Sequence, residues 1–281
     1  MSRAYLLIAA GLLNVAPAYG QQARTSTALL ELFDFSRSVT SDLPRALQEI
    51  SGLATTSDGR VFAHADERGV ISELDGCTGR VKKSFSLGKP AVRDDFEGIA
   101  IAGERFFLIT STGQLYELRE GANDAAVPFT RLDTGFGKSC EIEGLAYDSA
   151  DGVLLMGCKR SLLRGLGGRV SVLRWSLARG APAPSLTMPL STVVQGTKAR
   201  SFPTTSLELE SKSGHYMVLS GPERLLVETT RQESVLASVV LPGKRHRQPE
   251  GVTFVGDTLL MISDEGAGNG RGTITCVRRA R

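Results

Sequence analysis

Four short stretches of this chain set polar and acidic residues two positions apart. Asp95 and Glu97 flank Phe96, Glu141 and Glu143 flank Ile142, Glu49 stands two before Ser51, and Gln248 two before Glu250. On an extended strand, residues i and i+2 point to the same side, so each stretch presents two polar groups together. Carboxylates gathered at one level repel one another and are costly to bury unpaired. They require protons, basic neighbours or a cation. Calcium suits such a set, because it accepts carboxylate and carbonyl oxygens at flexible distances. A carboxylate-held cation is also one route to an activated water for ester or phosphoester hydrolysis. Glu49, Glu97, Glu143 and Glu250 are therefore the first candidate ligands.

The elements that must position them follow from a repeat. Glu49-Ile50-Ser51-Gly52-Leu53 returns as Asp95-Phe96-Glu97-Gly98-Ile99, as Glu141-Ile142-Glu143-Gly144-Leu145, in worn form as Pro203-Thr204-Thr205-Ser206-Leu207, and as Gln248-Pro249-Glu250-Gly251-Val252. The spacing is in the forties except for one longer step before the fourth copy, a period that fits one four-stranded propeller blade. Each phrase opens a strand. A turn follows, such as Ser57-Asp58-Gly59, Asp151-Gly152 or Gly256-Asp257, and then a second apolar run, the pattern of a hairpin. Third strands are read at 70–74, 114–118, 170–175, 225–227 and 273–277, and fourth strands at positions such as 81–87 and 235–241. The fifth copy ends before a fourth strand, while residues 29–35 form a spare run ahead of the first. The expectation is an all-β propeller of five blades over residues 28–278, with that N-terminal run completing the last blade and hiding the sheet edges. Six blades are the alternative. No segment sustains a 3.6-residue period, so helix should be minor. Residues 159–168 and 191–202 read as long loops.

In such a ring the first strand of each blade lines a central channel. A second column, Asp66, Ser111, Cys158, Ser220 and Asp264, falls where the second strands end. It would gather Asp66, Glu67, Asp264 and Glu265 with Glu49 and Glu250 on one side of the channel mouth. Lys159, Arg160, Lys198 and Arg200 would lie across from them, and Arg93, Lys138 and Arg245 precede first strands. A mouth with acidic and basic sectors suits a small anionic ligand together with a cation. Lys159, Arg200, Arg93 and Arg245 are its candidate contacts, and His64, at a channel position, is a candidate acid or base. The alternative readings are structural: a Glu before Gly that accepts backbone N–H groups of the next blade, Asp-Glu pairs that shape turns, and a packed histidine.

Composition excludes several classes. The 33 Lys and Arg against 30 Asp and Glu leave a formal net charge of +3, without the concentrated basic stripe of a nucleic-acid binder. The basic end, Arg278 to Arg281, reads as a solvated tail, its last three residues (279–281) lying beyond the domain. The three histidines lack metal-ligand spacing, and there is no nucleophile elbow, P-loop or dinucleotide fingerprint. Residues 1–20 read as a signal peptide: Arg3, an apolar run over 4–15 too short to span a bilayer comfortably, and small residues at Ala18-Tyr19-Gly20. An exported chain with four cysteines is expected to form disulfides. Cys140 precedes one strand and Cys158 ends the next, with the Asp151-Gly152 turn almost midway, which pairs them across a hairpin. Cys77 and Cys276 pair by elimination.

At these phrases and the hairpins that follow them, roughly residues 28–278, the chain resembles the SdiA-regulated family of bacterial propellers and, more distantly, the phytase-like (esterase-like) propellers. The resemblance implies a propeller in the periplasm or outside the cell, calcium in the channel, and Glu49, Glu97, Glu143 and Glu250 facing it. The fourth copy departs, with Thr205 and Ser206 in place of Glu or Ser and Gly. Three readings follow: a monomeric calcium-associated propeller, without a membrane span, that binds a small anionic or carbohydrate-like ligand or an envelope partner at the channel mouth; a metal-dependent phosphoesterase or esterase; and an interaction scaffold whose carboxylates only tie blades together.

Overall fold

A computed structural model describes residues 28–163, 168–266, 268 and 270–280; the expected signal peptide lies outside them. Five sheets follow one another along the chain, antiparallel but for a two-residue strand, Ala126–Val127, that adds parallel to the outer edge of the first. Blade 1 comprises Ile50–Thr55, Val61–Ala65, Val70–Leu74 and Val81–Leu87. Blade 2 comprises Phe96–Ala102, Arg105–Thr110, Gln114–Arg119 and Phe129–Asp133, and blade 3 Cys140–Asp148, Val153–Ser161, Arg169–Ser176 and Ala181–Pro189. Blade 4 comprises Ser206–Leu209, Tyr216–Ser220, Leu225–Thr229 and Val235–Val240, and blade 5 Pro249–Val255, Leu259–Asp264 and Thr273–Arg278. Helix is confined, among the described residues, to one turn at Leu190–Val193 and five short 3-10 segments. The chain is a five-bladed β-propeller.

Ring closure differs in one detail from the expectation. The strand that completes blade 5 is Val39–Asp42, antiparallel to Thr273–Arg278 with Val39 opposite Cys276 and Asp42 opposite Thr273. The run at 29–35 is not a strand. It forms 3-10 turns, Leu29–Leu32 and Phe35–Arg37, and buries Leu29, Leu30 and Phe33 between blades 4 and 5. The apolar residues cluster on one side of the turn, and the buried Glu228 carboxylate accepts the backbone N–H groups of Leu29 and Leu30 at 2.9 and 2.8 Å. A helical turn with its first donors met this way needs no neighbouring strand. Beyond Arg278 the chain stays on the fold: Arg279 bridges Phe33, and the Ala280 N–H donates to the Leu32 carbonyl at 2.7 Å.

The core is divided among the blade boundaries. Five apolar clusters lie between blades 1 and 2, 2 and 3, 3 and 4, 4 and 5, and 5 and 1. The last, where Ile50, Leu53 and Ala63 meet Met261 and Ile274, closes the circle. Two disulfides reinforce it. Cys140–Cys158 crosslinks the first hairpin of blade 3, and Cys77–Cys276 joins blade 1 to blade 5 across the closure, with Cα atoms 5.7 and 5.9 Å apart. Both pairings match the expectation from sequence and point to an oxidising environment. No helix among the described residues is long and apolar enough to cross a membrane.

The repeated phrase has a structural meaning of its own. In blades 1, 2 and 5 the pairing of the two inner strands slips by one residue at the phrase, between Ile50 and Gly52, Phe96 and Gly98, and Pro249 and Gly251. Blade 3 slips between Glu141 and Ile142 and again at Gly144, whose φ of +78° favours glycine. These are β-bulges, which bend a strand and re-aim the unpaired side chain. The glycine that follows lets adjacent blades approach: a Cβ on Gly98 would stand 2.5 Å from the Leu145 nitrogen of blade 3. In the worn fourth copy the inner pair is in regular register, and hydroxyls take over the contact with blade 5. Thr205 donates to the Pro249 carbonyl at 2.9 Å, and Ser206 accepts the Val252 N–H at 3.2 Å.

Candidate functional site at the channel mouth

In blades 1, 2 and 5 the residue left unpaired at the bulge is the third of the phrase, Ser51, Glu97 and Glu250, while in blade 3 the third residue, Glu143, stays opposite Gly157; three of the five third residues are glutamates. Glu97 and Glu250 are partly buried and Glu143 is buried. The Lys159 ammonium, from the second strand of blade 3, donates to Glu143 Oε1 and lies 3.9 Å from Glu141 Oε1. Ser51, the third residue of the first copy, donates to Glu97 Oε2 at 3.0 Å. Around the ring the set runs Ser51, Glu97, Glu143 with Lys159, Thr205 and Glu250.

Burial and mutual repulsion shape the acidity of this set. Loss of water is the largest effect on each glutamate. It pushes Glu97 up to about 8, with the charges of Glu143 and Asp95 adding to it. Glu250 rises to about 9, again by burial and then by the charge of Glu143. Glu143 is lifted less, to about 7, because burial is opposed by the Lys159 ammonium on its carboxylate. Lys159 is held above its ordinary value: burial lowers it, and the surrounding glutamates outweigh that. Near neutral pH the cluster thus combines protonated carboxyls, one ion pair and hydroxyls, so donors and acceptors stand side by side.

Blades are tied at this level by backbone groups as well as by the Ser51 to Glu97 hydrogen bond between blades 1 and 2. Backbone bonds stitch blades at this level, from the Phe96 N–H to the Asp66 carbonyl, from Ile142 to Ser111 and from Gly266 to Gln48, at 2.8, 2.9 and 2.8 Å. Among the described residues no backbone N–H donates to Glu97, Glu143 or Glu250. Glu97 and Glu143 each keep one oxygen outside their bonds to Ser51 and Lys159.

The other expected residues are distributed differently. Glu49 is exposed; it holds the first position of its phrase, and Ser51 takes the channel position. Glu49 instead joins Asp66 and Glu265 at the rim. Asp66 is pushed up to about 6 by burial and then by the Glu49 charge, and burial followed by the same Glu49 charge raises Glu265. Asp264 turns away from the axis: its carboxylate accepts the Gln248 N–H at 3.2 Å and meets buried His246 Nδ1 at 2.8 Å. His64 is fully buried, held down to about 4 by loss of water, with Nδ1 3.1 Å from the Ala65 carbonyl; it is sealed inside blade 1 and does not reach the mouth. Arg245 is anchored to the Phe35 carbonyl at 3.2 Å and to the Ser38 hydroxyl. Arg93 pairs with Glu67 at the exposed rim, at 3.5 Å. Arg200 is exposed and pairs with none of the axial carboxylates. Of the expected basic contacts, Lys159 alone joins the cluster, and it sits among the glutamates where an opposing basic sector was expected. Ser51 and Thr205 were missed as axial residues, although their place in the phrase marked them.

As a calcium site the set is incomplete as it stands. Lys159 holds the place of the cation on Glu143, and among the described residues no three acidic, His or Cys side chains converge closely enough to hold a metal ion. One donor remains open: Glu143 Oε2 is buried without a hydrogen-bond partner.

No family model matches the chain, and no curated protein matches it. Solved structures do. The glutaminyl cyclase of Myxococcus xanthus superimposes with a TM-score of 0.59 at 14% identity, over 86% of this chain and 96% of that one. A PQQ-bound aldose sugar dehydrogenase from Streptomyces coelicolor gives 0.56 at 12%, over 86% and 98%. A luciferin-regenerating enzyme gives 0.55 at 11%, over 87% and 97%. At these identities the likeness is one of fold, and function on a shared fold is decided by the site. In architecture, the chain is a β-propeller similar to these enzymes.

Proposed function

We propose that this propeller is an exported binding protein that takes a small, neutral, polyhydroxylated ligand of carbohydrate type at the channel mouth. The observation that carries the reading is the pairing of Lys159 with Glu143 beside Glu97 and Glu250, whose charges act on the same ammonium. Carboxyls that share protons near neutral pH, an ammonium and the Ser51 hydroxyl match the alternating donors and acceptors of adjacent sugar hydroxyls. An anion is disfavoured, since Glu49, Asp66 and Glu265 add negative charge at the rim while Arg245 is engaged elsewhere. The two disulfides and the apolar N-terminal run of the sequence support a periplasmic or secreted location. Kinship with the SdiA-regulated propellers belongs to the same proposal and rests on the repeated phrase.

Calorimetric titration with a panel of neutral mono- and oligosaccharides tests it. At least one should give saturable heat, weakened about tenfold or more by Lys159→Met and by Glu250→Leu. Binding of anionic sugars alone, or unchanged binding in both variants, overturns the reading. A second reading, calcium in place of Lys159 on Glu143, is favoured by the open Glu143 Oε2. Metal in the purified protein and a melting temperature lowered by EDTA and restored by calcium would establish it; a metal-free protein indifferent to EDTA removes it.

A further inference from the structure

The far end of the channel, beyond the glutamates of the repeated phrases, holds a cavity of about 390 Å³. The turns joining first and second strands surround it, and Ile99, Ile101, Leu145 and Tyr147 line its wall. One ionisable group of blade 4, Glu208, belongs to the same wall. Its Oε2 accepts the Thr253 hydroxyl at 2.7 Å and its Oε1 accepts the Leu209 N–H at 2.8 Å. Thr253 in turn meets the Thr55 hydroxyl at 3.0 Å. Among the described residues no Lys, Arg or His pairs with Glu208. Burial pushes its carboxyl up to about 7, opposed by those two hydrogen bonds.

The contrast with the mouth is chemical. There, an internal ammonium pairs with Glu143 and its charge bears on Glu97 and Glu250. Here one carboxyl stands in a mixed wall, apolar at Ile99, Ile101, Leu145 and Tyr147 and hydroxyl-lined at Thr55, Thr56 and Ser211, without a counter-charge among the described residues. Glu208 shares the blade 4 to blade 5 contact with Thr205 and Ser206 through its one bond to Thr253, and the mouth does not use it. A carboxylate left unpaired in such surroundings is expensive, and each oxygen retains acceptor capacity after its one bond. The cavity falls within the range of small-molecule sites, which are mostly apolar with a few placed polar groups.

We propose that this cavity binds a small organic ammonium compound, its apolar body against Ile99, Ile101, Leu145 and Tyr147 and its charged nitrogen on Glu208. The Tyr147 ring offers a cation a second favourable surface. Thr253 and the Leu209 N–H hold the carboxylate in place, so little ordering remains to be done on binding. A carboxylate or phosphate compound is rejected by the same group.

Benzylamine serves as probe, with benzyl alcohol and benzoate as its neutral and anionic counterparts, titrated at pH 8 into the full chain with its disulfides formed. Benzylamine should bind at one site, at least about tenfold more tightly than benzyl alcohol, the worth of one charge-assisted contact, and benzoate should not bind. Glu208→Gln should abolish the preference for the amine while still admitting the alcohol, and Ile101→Trp, which fills the cavity, should remove both. Amide shifts in NMR spectra of the wild type should map to Thr55, Ile101 and Tyr147. Equal affinity for amine and alcohol in the wild type, an undiminished preference in Glu208→Gln, or shifts confined to the mouth around Glu97 and Glu250 each overturn the assignment. The wild-type comparison and the shift map decide the matter even if a variant fails to fold.

Discussion

Replacing Glu250 by Gln should make the protein more stable in neutral and alkaline solution. Glu250 reaches about 9 in the folded protein, from an ordinary value of 4.5, because it loses water and faces Glu143. The folded chain therefore binds a proton that the unfolded chain releases. Its contribution to stability is fully present below about 4.5 and is lost progressively as pH rises through the window to about 9. At pH 7 the two states differ over about 2.5 pH units, and at about 1.4 kcal/mol per unit the carboxyl costs about 3 kcal/mol. Gln keeps the shape and cannot ionise. Glu97 and Glu143 redistribute protons once Glu250 is gone, so the measured gain should be about 1–3 kcal/mol. For a domain of this size each kcal/mol moves the melting temperature by about 2–4 °C, which gives a rise of about 5 °C. Melting followed by circular dichroism at pH 4, 6 and 8 is the assay. The variant should match the wild type at pH 4 and exceed it increasingly toward pH 8. An unchanged melting temperature at pH 8, or a gain of equal size at pH 4, refutes the burial and repulsion assigned to this cluster. A stability gain coupled to weaker ligand binding would show why a costly carboxyl is kept.

Lys159→Met should destabilise by about 2 kcal/mol, below the range for fully buried pairs because its side chain is 35% exposed. Adding Glu143→Gln should recover most of that loss in chemical denaturation, and strictly additive losses would dissolve the pairing. Removing Cys77–Cys276 should cost about 5 kcal/mol and removing Cys140–Cys158 about 3, since they close chain separations of 199 and 18 residues. Cys→Ser pairs compared by melting test this, and equal costs would deny the first bond its role as the ring's staple.

Much of the architecture was legible in the sequence because a propeller repeats its local rules. Each blade needs two hairpins and a place near the axis where neighbouring backbones meet, and that need writes Gly98, Gly144 and Gly251 at the same point of the phrase. Hairpin turns place Cys140 and Cys158 within reach of each other, so their bond followed from local geometry alone. The closing strand was misplaced, at 29–35 in place of Val39–Asp42. Both stretches are short, and an apolar run signals burial without saying whether it is buried as a strand or a turn.

The sequence by itself favoured five blades over six, paired Cys140 with Cys158 across a hairpin, and marked the column that carries the axial glutamates; the fold closed the count at five and joined Cys77 to Cys276. Tertiary structure decided which members of that column reach the axis and what they meet there. A β-bulge turns Ser51 inward and leaves Glu49 exposed, a distinction invisible to two-residue alternation. Asp264 was drawn off by His246, and Lys159 was set among the glutamates it was expected to face. Glu208 was readable as a charge within the apolar run Leu207-Glu208-Leu209. Its significance depends on what the other four blades place around it. Ring closure brings those groups together from distant parts of the chain, so their proximity, and the acidity it creates, belongs to the assembled fold.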